Sequence, residues 1–260
     1  MKASIFIVED ERIVAEDIRV TLESNGYAVS GIAASRDQAL EGIGRTMPSL
    51  VLMDIVLKGP GDGVETARLV RERFDIPVVY LTAHADAATL HRAKVTEPFG
   101  YVLKPFEETN LLTAVEMGLY RHRVEQRLAE NERWLAAILG SISEGVIAAD
   151  SMGVVRLMNA AAESIGGWKQ AEFVGLDLSE VYLAHDAETG APVDMPVLPA
   201  LIAKHSSPAA RQVRILLRKD GSRVRIEQRI TPISDASGTE SGSVIVFCES
   251  PAGNAQGGGR

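Results

Sequence analysis

Ser4-Ile5-Phe6-Ile7-Val8-Glu9-Asp10 is an apolar run of strand length that closes on two acids. That composition is expected of a strand buried on both faces with charge at its carboxyl end. Behind it, Ile13, Val14, Ile18 and Leu22 recur at helical spacing, and Asn25-Gly26 stops the helix. The alternation then repeats. Tyr27 to Ala33 reads as a second strand, with Ser35 and Gln38 spaced as a capping box for the next helix. Leu50 to Asp54 is a third strand, Val64 to Arg73 a helix, and Pro77 to Thr82 a fourth strand. Ala85 to Lys94 is helical, Gly100 to Leu103 is a fifth strand, and a long helix begins at Glu107. Wholly apolar strands separated by amphipathic helices specify a doubly wound α/β domain on a five-stranded parallel sheet.

Composition narrows the class. The chain has 260 residues, 46% hydrophobic and 24% charged, which excludes a mostly disordered chain. No apolar run approaches the ~20 residues of a membrane span. The apolar stretch before Glu9 is too short for a secretory leader. A single cysteine, Cys248, excludes a disulfide framework and a cysteine-built zinc site, and reads as core. The net charge of −8 argues against broad nucleic-acid affinity. The expectation is a cytoplasmic protein.

The second half follows a different pattern. Between Leu111 and Ile142 there is no proline, so one continuous helix crosses the boundary. Beyond it, Gly145 to Asp150 and Val154 to Met158 read as strands and Ala160 to Ser164 as a helix. Arg211 to Arg218 and Arg223 to Ile230 alternate around Lys219-Asp220-Gly221-Ser222, a hairpin. Ser243 to Cys248 is a last strand, and Pro192 to Pro199 reads as loop or broken helix. This is an α+β domain on an antiparallel sheet. The division expected is residues 1–122, a helical linker at 123–142, a second domain at 143–250, and a Gly-rich disordered tail at 251–260.

The chemistry collects at strand ends. Glu9 and Asp10 follow the first strand, Asp54 ends the third, Thr82 ends the fourth, and Lys104 follows the fifth. In an open parallel sheet the carboxyl ends share one edge, where such folds bind ligands. Three carboxylates meeting there repel unless a cation intervenes. Mg²⁺ takes a few carboxylates, waters and a phosphate oxygen, which suits this set. With Lys104 and Thr82 alongside, the pattern describes a carboxylate that attacks phosphorus while cationic and hydroxyl groups neutralise the transferred oxygens.

Ile7-Val8-Glu9-Asp10-Glu11, Leu52-Met53-Asp54-Ile55, Leu81-Thr82-Ala83 and Gly100-Tyr101-Val102-Leu103-Lys104-Pro105-Phe106 resemble the receiver domain of two-component response regulators, a flavodoxin-like fold. The resemblance covers about residues 1–122. It implies that Asp54 is the phosphoacceptor, that Asp10 binds Mg²⁺ directly, and that Glu9 acts mainly through a coordinated water. The Val56 backbone carbonyl would complete the metal ligands. Thr82 and Tyr101 match the switch pair, Lys104 the phosphate-contacting lysine, and Lys104-Pro105 the family's cis peptide. The variant Glu at position 9 leaves metal binding in place. An apolar Val56 side chain cannot orient a hydrolytic water, implying a phosphoryl group of moderate persistence. His84 reads as a rim residue.

Other signals are weaker. Gly59, Gly61 and Gly63 read as a loop and helix start rather than a phosphate cradle. His122 lacks the flanking residues of a kinase phospho-histidine, and no ATP-binding glycine motif follows. Arg211, Arg214, Arg218, Lys219, Arg223, Arg225 and Arg229 read as the solvated face of a sheet; a nucleic-acid patch is disfavoured because no aromatic residues interleave them.

Ile142 to Asp150, Met158-Asn159-Ala160-Ala161-Ala162-Glu163, Gly167-Trp168 and Arg218-Lys219-Asp220-Gly221-Ser222 resemble a PAS sensor domain over about residues 131–250. Asn159 is placed to cap the helix after its strand. The flavin-adduct cysteine is absent, and His185 and His205 are the only histidines available to a haem, so no cofactor is assigned to this half.

These observations describe a phosphorelay response regulator rather than an enzyme beyond its own phosphorylation and dephosphorylation. A histidine kinase or phosphotransfer protein would donate to Asp54, and the PAS module would receive the state. The alternative is a ligand-sensing or dimerising scaffold whose receiver serves mainly for interaction. No DNA-reading element accompanies the motifs. Leu128, Leu135 and Ile142, with Val124, Asn131 and Ile138 as the companion series, form an a/d seam that suits a homodimer through the linker helix.

Overall fold

Five strands, β1 (Ser4–Val8), β2 (Ala28–Ala33), β3 (Leu50–Asp54), β4 (Val78–Thr82) and β5 (Gly100–Leu103), form an all-parallel sheet in the order β2-β1-β3-β4-β5. The computed structural model describes residues 3–57, 62–83, 96, 98–193, 211–235 and 237–250. The chain divides into two units, Met1–Glu130 and Asn131–Arg260.

The alternation of side chains along each strand serves two core layers. Ile5, Ile7, Leu50, Leu52, Val79 and Leu81 pack with Ile18, Leu22, Leu111 and Val115 on one face. Phe6, Val8, Val51, Met53 and Tyr80 pack with Ala39, Ile43, Val64, Ala67 and Val70 on the other. The helices supplying these residues are α1 (Arg12–Ser24), α2 (Arg36–Thr46), α3 (Gly63–Phe74) and α4 (Glu108–Ser141). The buried stripe of α1 is Ala15, Ile18 and Leu22, whereas Ile13, expected within the apolar pattern, is 87% exposed. The expected capping box at α2 does not form. Ser35 makes no side-chain cap bond, and Gln38 Oε1 accepts from the Ala34 N–H at 3.2 Å. Asp62 caps α3 by accepting from the Glu65 N–H at 2.9 Å. The helix expected at Ala85 to Lys94 lies outside the described residues.

The second unit is built on seven antiparallel strands in the order β7-β6-β12-β11-β10-β8-β9. These are β6 (Gly145–Asp150), β7 (Val155–Met158), β8 (Ala184–Asp186), β9 (Pro192–Val193), β10 (Gln212–Leu217), β11 (Arg223–Ser234) and β12 (Glu240–Glu249). Three short helices, α5 (Ala160–Gly166), α6 (Gln170–Phe173) and α7 (Leu178–Val181), accompany the sheet. Ile147, Met158, Phe173, Tyr182, Leu216, Ile226, Ile245 and Phe247 form its core. The expected hairpin is present. Its turn closes through Arg218 N–H to the Ser222 carbonyl at 2.8 Å, with Gly221 at φ +83°. Two readings are corrected. Pro192 and Val193 pair with β8 instead of forming loop. Cys248 alternates with the core residue Phe247 and is half-buried, not core.

Asn159 ties this unit together. Its Oδ1 accepts from the Val146 N–H at 2.8 Å and the Ala162 N–H at 2.9 Å. Its Nδ2 donates to the Leu139 carbonyl at 3.1 Å and the Glu144 carbonyl at 3.0 Å. One amide, 4% exposed, thereby caps the start of α5 and satisfies a carbonyl in the last turn of α4. Replacing it with Ala leaves these groups without partners, at a cost of about 3 kcal/mol given ~1–3 per buried unsatisfied group. Both tryptophans, Trp134 and Trp168, lie in this unit, so tryptophan fluorescence in urea isolates its unfolding. Asn159→Ala lowers that midpoint sharply, and Asn159→Asp, which keeps the acceptor and loses the donors, falls between.

Candidate functional site

β1 and β3 are direct neighbours, so their carboxyl ends deliver Glu9, Asp10 and Asp54 to one spot. One carboxylate oxygen of each lies within 4.8 Å of the others. Lys104, at the end of β5, closes the group: its Nζ donates to Glu9 Oε2 and to Asp54 Oδ2, each at 2.5 Å. Glu9 is completely covered and Asp54 nearly so, with side-chain exposures of 0% and 10%. Asp54 Oδ1 accepts the Val56 N–H at 3.0 Å, and Glu9 Oε1 accepts the Glu11 N–H at 3.2 Å.

Burial pushes the Glu9 carboxyl above its ordinary range, reinforced by the Asp54 charge and opposed by the Lys104 bond. For Lys104 burial works the other way, but its bonds to Asp54 and Glu9 outweigh it and hold the ammonium above its usual range. Each feature reports a site rich in buried negative charge with one cation inside it. Oxygen donors that are carboxylates, clustered and short of positive charge, suit a hard divalent ion. Glu9, Asp10 and Asp54 therefore fit Mg²⁺.

Thr82 and Tyr101, expected from the resemblance as a switch pair, lie on β4 and β5 beside this group. Thr82 ends β4 at 4% exposure, and its hydroxyl makes no hydrogen bond to Glu9, Asp54 or Lys104. Its carbonyl accepts the Lys104 N–H at 2.7 Å, which locks the end of β5 to β4. Tyr101 is 36% exposed, with its ring 5.8 Å from that of Tyr80 at an interplanar angle of 30°, and burial raises its phenol pKa. The Lys104-Pro105 bond is cis. Val56 presents its side chain to solvent, and the contact it makes to the site is through its N–H. His84 lies outside the described residues.

Gly63 carries more than a loop and helix start. A Cβ there would collide with the Asp54 carbonyl, and the Gly63 N–H bonds the Ile55 carbonyl at 3.0 Å. Only glycine lets the first turn of α3 sit against the backbone that aims Asp54. The sequence signal was the Asp62-Gly63 pair. His122 is half-buried edge-on to Phe99, centroids 5.5 Å apart, and burial lowers its pKa. In the basic cluster, Arg211 pairs with Glu144 and Glu227, Arg214 with Asp186, Arg218 with Glu249 and Lys219 with Glu172. His185 lies half-buried in β8, and His205 falls outside the described residues.

Comparison with known proteins agrees with this two-domain fold. Residues 5–116 match the response regulator receiver domain family, and residues 134–249 match the PAS fold family. The chain is a response regulator receiver domain followed by a PAS domain. It is similar to the transcriptional regulatory protein PdtaR of Mycobacterium tuberculosis, 30% identical over 119 residues that make up 46% of this chain and 58% of that protein. It is also similar to the phyllosphere-induced regulator PhyR of Methylorubrum extorquens, 27% identical over 128 residues, 49% of this chain and 47% of that one. The chain thus spans about half the length of these curated relatives. Among solved structures, the signal receiver domain of a modulated diguanylate cyclase from Desulfovibrio desulfuricans G20 is 35% identical, with a TM-score of 0.47. That match covers 48% of this chain and 99% of that one. No helix among the described residues is long and apolar enough to cross a membrane.

Because the Glu9 pKa is raised on folding, the folded state holds a proton that the unfolded chain releases, so stability falls as pH rises through the Glu9 range. Glu9→Gln removes that penalty. Its thermal midpoint should exceed wild type at about pH 8 and approach it at about pH 4. A variant less stable than wild type at both would contradict the assignment.

Proposed function

We propose that this protein is a phosphorylation-controlled switch of a two-component phosphorelay. Asp54 accepts a phosphoryl group from the phospho-histidine of a kinase or phosphotransfer protein. An Asp54 carboxylate oxygen bonds to phosphorus as the phosphorus–nitrogen bond breaks, and the imidazole leaves with a proton. The observation that carries this reading is Asp54 itself. One of its oxygens is held by the Val56 N–H and the other by the Lys104 ammonium, beside two further carboxylates. A structural acid cluster has no need of that convergence at the ligand-binding edge of a parallel sheet.

Glu9, Asp10 and Asp54, with the Val56 carbonyl, are the groups that would hold Mg²⁺. The ion, when bound, supplies positive charge against the phosphoryl oxygens. Lys104 supplies a second positive charge, already at Asp54 Oδ2. Thr82, one strand away, supplies a hydroxyl that turns to the phosphoryl group, with Tyr101 following. The linker at 123–142 relays this state to the PAS domain, in a cytoplasmic homodimer whose partners are proteins rather than nucleic acid. The chain performs no catalysis beyond its own phosphorylation and dephosphorylation.

Incubation with a small acyl-phosphate donor and Mg²⁺ should add one phosphoryl group that is lost on alkaline treatment. Asp54→Asn should abolish labelling, and a metal chelator should suppress it at least about tenfold. Labelling of Asp54→Asn at the wild-type level would sink the reading. Thr82→Ala tests the switch separately: it should still be labelled but lose the phosphorylation-dependent change in Trp134 fluorescence. An unchanged fluorescence response would remove Thr82 from that role.

A further inference from the structure

Helix α4 changes character along its length. Its first half is anchored, with Leu111, Val115 and Gly118 buried. From Arg123 to Ile138 every residue is exposed except Ala129, which is half-buried. The exposed stretch is not uniformly polar. Val124, Leu128, Leu135 and Ile138 are 46%, 61%, 54% and 37% exposed and follow one stripe, with Asn131 in the same series. Isolated helices of this length are marginal in water, and most helical stability in proteins comes from packing an apolar face. No described residue of this chain covers that face.

We propose that a second copy of this chain covers it, the two α4 helices running parallel and in register. This rests on the homodimer reading above and adds the direction, the register and the charge pair that fixes them. With Leu128 and Leu135 at position a and Val124, Asn131 and Ile138 at position d, Arg127 falls at g and Glu132 at e. In a parallel pair the g residue faces the e residue of the next heptad on the other helix. Arg127 therefore meets the partner's Glu132, and symmetry makes the pair twice. Neither residue has an ion pair within its own chain among the described residues. Trp134 at g, 66% exposed, meets the partner's Leu139 in the same relation. An antiparallel pair would set e beside e and bring Glu125 and Glu132 against like charges. Asn131 facing its own copy favours this alignment over shifted ones, because an unmatched Asn would face an apolar residue.

Both ends of the seam are set by the structure. Ile142, the next a residue, lies just beyond the helix end at Ser141, so the seam closes at Ile138. At the other end the a position is Arg121. Its guanidinium lies over the Phe99 ring, 5.5 Å from the centroid, and 4.0 Å from Glu125, turned away from the stripe. Pairing thus begins at Val124, just past the last half-buried residue of the anchored half, His122.

The test is charge exchange in the full chain, with association measured by sedimentation across a dilution series. Arg127→Glu and Glu132→Arg alone should each weaken dimerisation about tenfold, since each replaces two attractions by two repulsions. Combined in one chain, they restore opposite charge and should return affinity to within about threefold of wild type. In a Cys248→Ser background, Leu128→Cys should form an intersubunit disulfide with an added oxidant, and the outward-facing Gln126→Cys should not. A monomeric wild-type protein, a missing rescue, or equal cross-linking at both positions overturns the proposal. Phosphoryl labelling of Asp54, read in the same samples, is independent of the exchange. Its loss in wild type would count against the phosphorelay reading alone.

Discussion

The bridge from Lys104 to both Glu9 and Asp54 is the constraint around which the receiver is arranged. A parallel sheet brings the carboxyl ends of its strands to one edge, and in this chain the central strands end in acids. Two carboxylates almost fully covered would be expensive without a cation. The cation arrives from β5, the far edge strand, and its position depends on register. The Lys104 N–H bonds the Thr82 carbonyl, and Thr82 pairs with Leu103 across β4 and β5. Shifting β5 by one residue would turn its side chains to the other face and take the ammonium away. The site and the edge of the sheet are therefore one structural problem.

The two units meet opposite demands. In the receiver, central strands buried on both faces leave few polar backbone groups to satisfy beyond the ladder, and the chemistry is pushed to the rim. The PAS unit has one sheet covered by short helices, and its polar groups enter the interior. Tyr182 donates to Gln228 Oε1 at 2.9 Å within the core, and burial pushes the Tyr182 phenol far up. Asn159 bonds four backbone groups from α4, the following turn, β6 and α5. Such buried polar contacts are strong because their alternative is an unpaired group in an apolar surround.

What the sequence revealed follows the same division. The central strands β1, β3 and β4 were legible because burial on both faces writes an unbroken apolar run, and the acids were legible because they stand at the ends of those runs. The missed elements are short. β8, β9, α6 and α7 span two to four residues each, too few to show a period, and tertiary packing holds them. Ile13 was misread because spacing alone does not say which side of a helix meets the sheet; Ala15, Ile18 and Leu22 do. The close approach at Gly63 was unreadable for a different reason. A glycine needed for space resembles a glycine needed for a turn until the facing backbone is known.

Helix α4 shows how an anchored element becomes an unpartnered one within a single turn. The anchored half ends at Phe99, whose ring is met by Arg121 and His122 from α4 and by Arg71 from α3 at 5.2 Å. Phe99 leads directly into β5, the strand that carries Tyr101 and ends at Lys104. The residue that touches Asp54 and the residue that anchors the helix are thus five positions apart on one chain segment. That segment is also the edge of its sheet, paired with β4 on one side only. An edge strand gives up half as many ladder hydrogen bonds when it moves as a central strand does. The acid site and the start of the exposed helix are therefore joined through the part of the sheet with the fewest bonds to resist displacement.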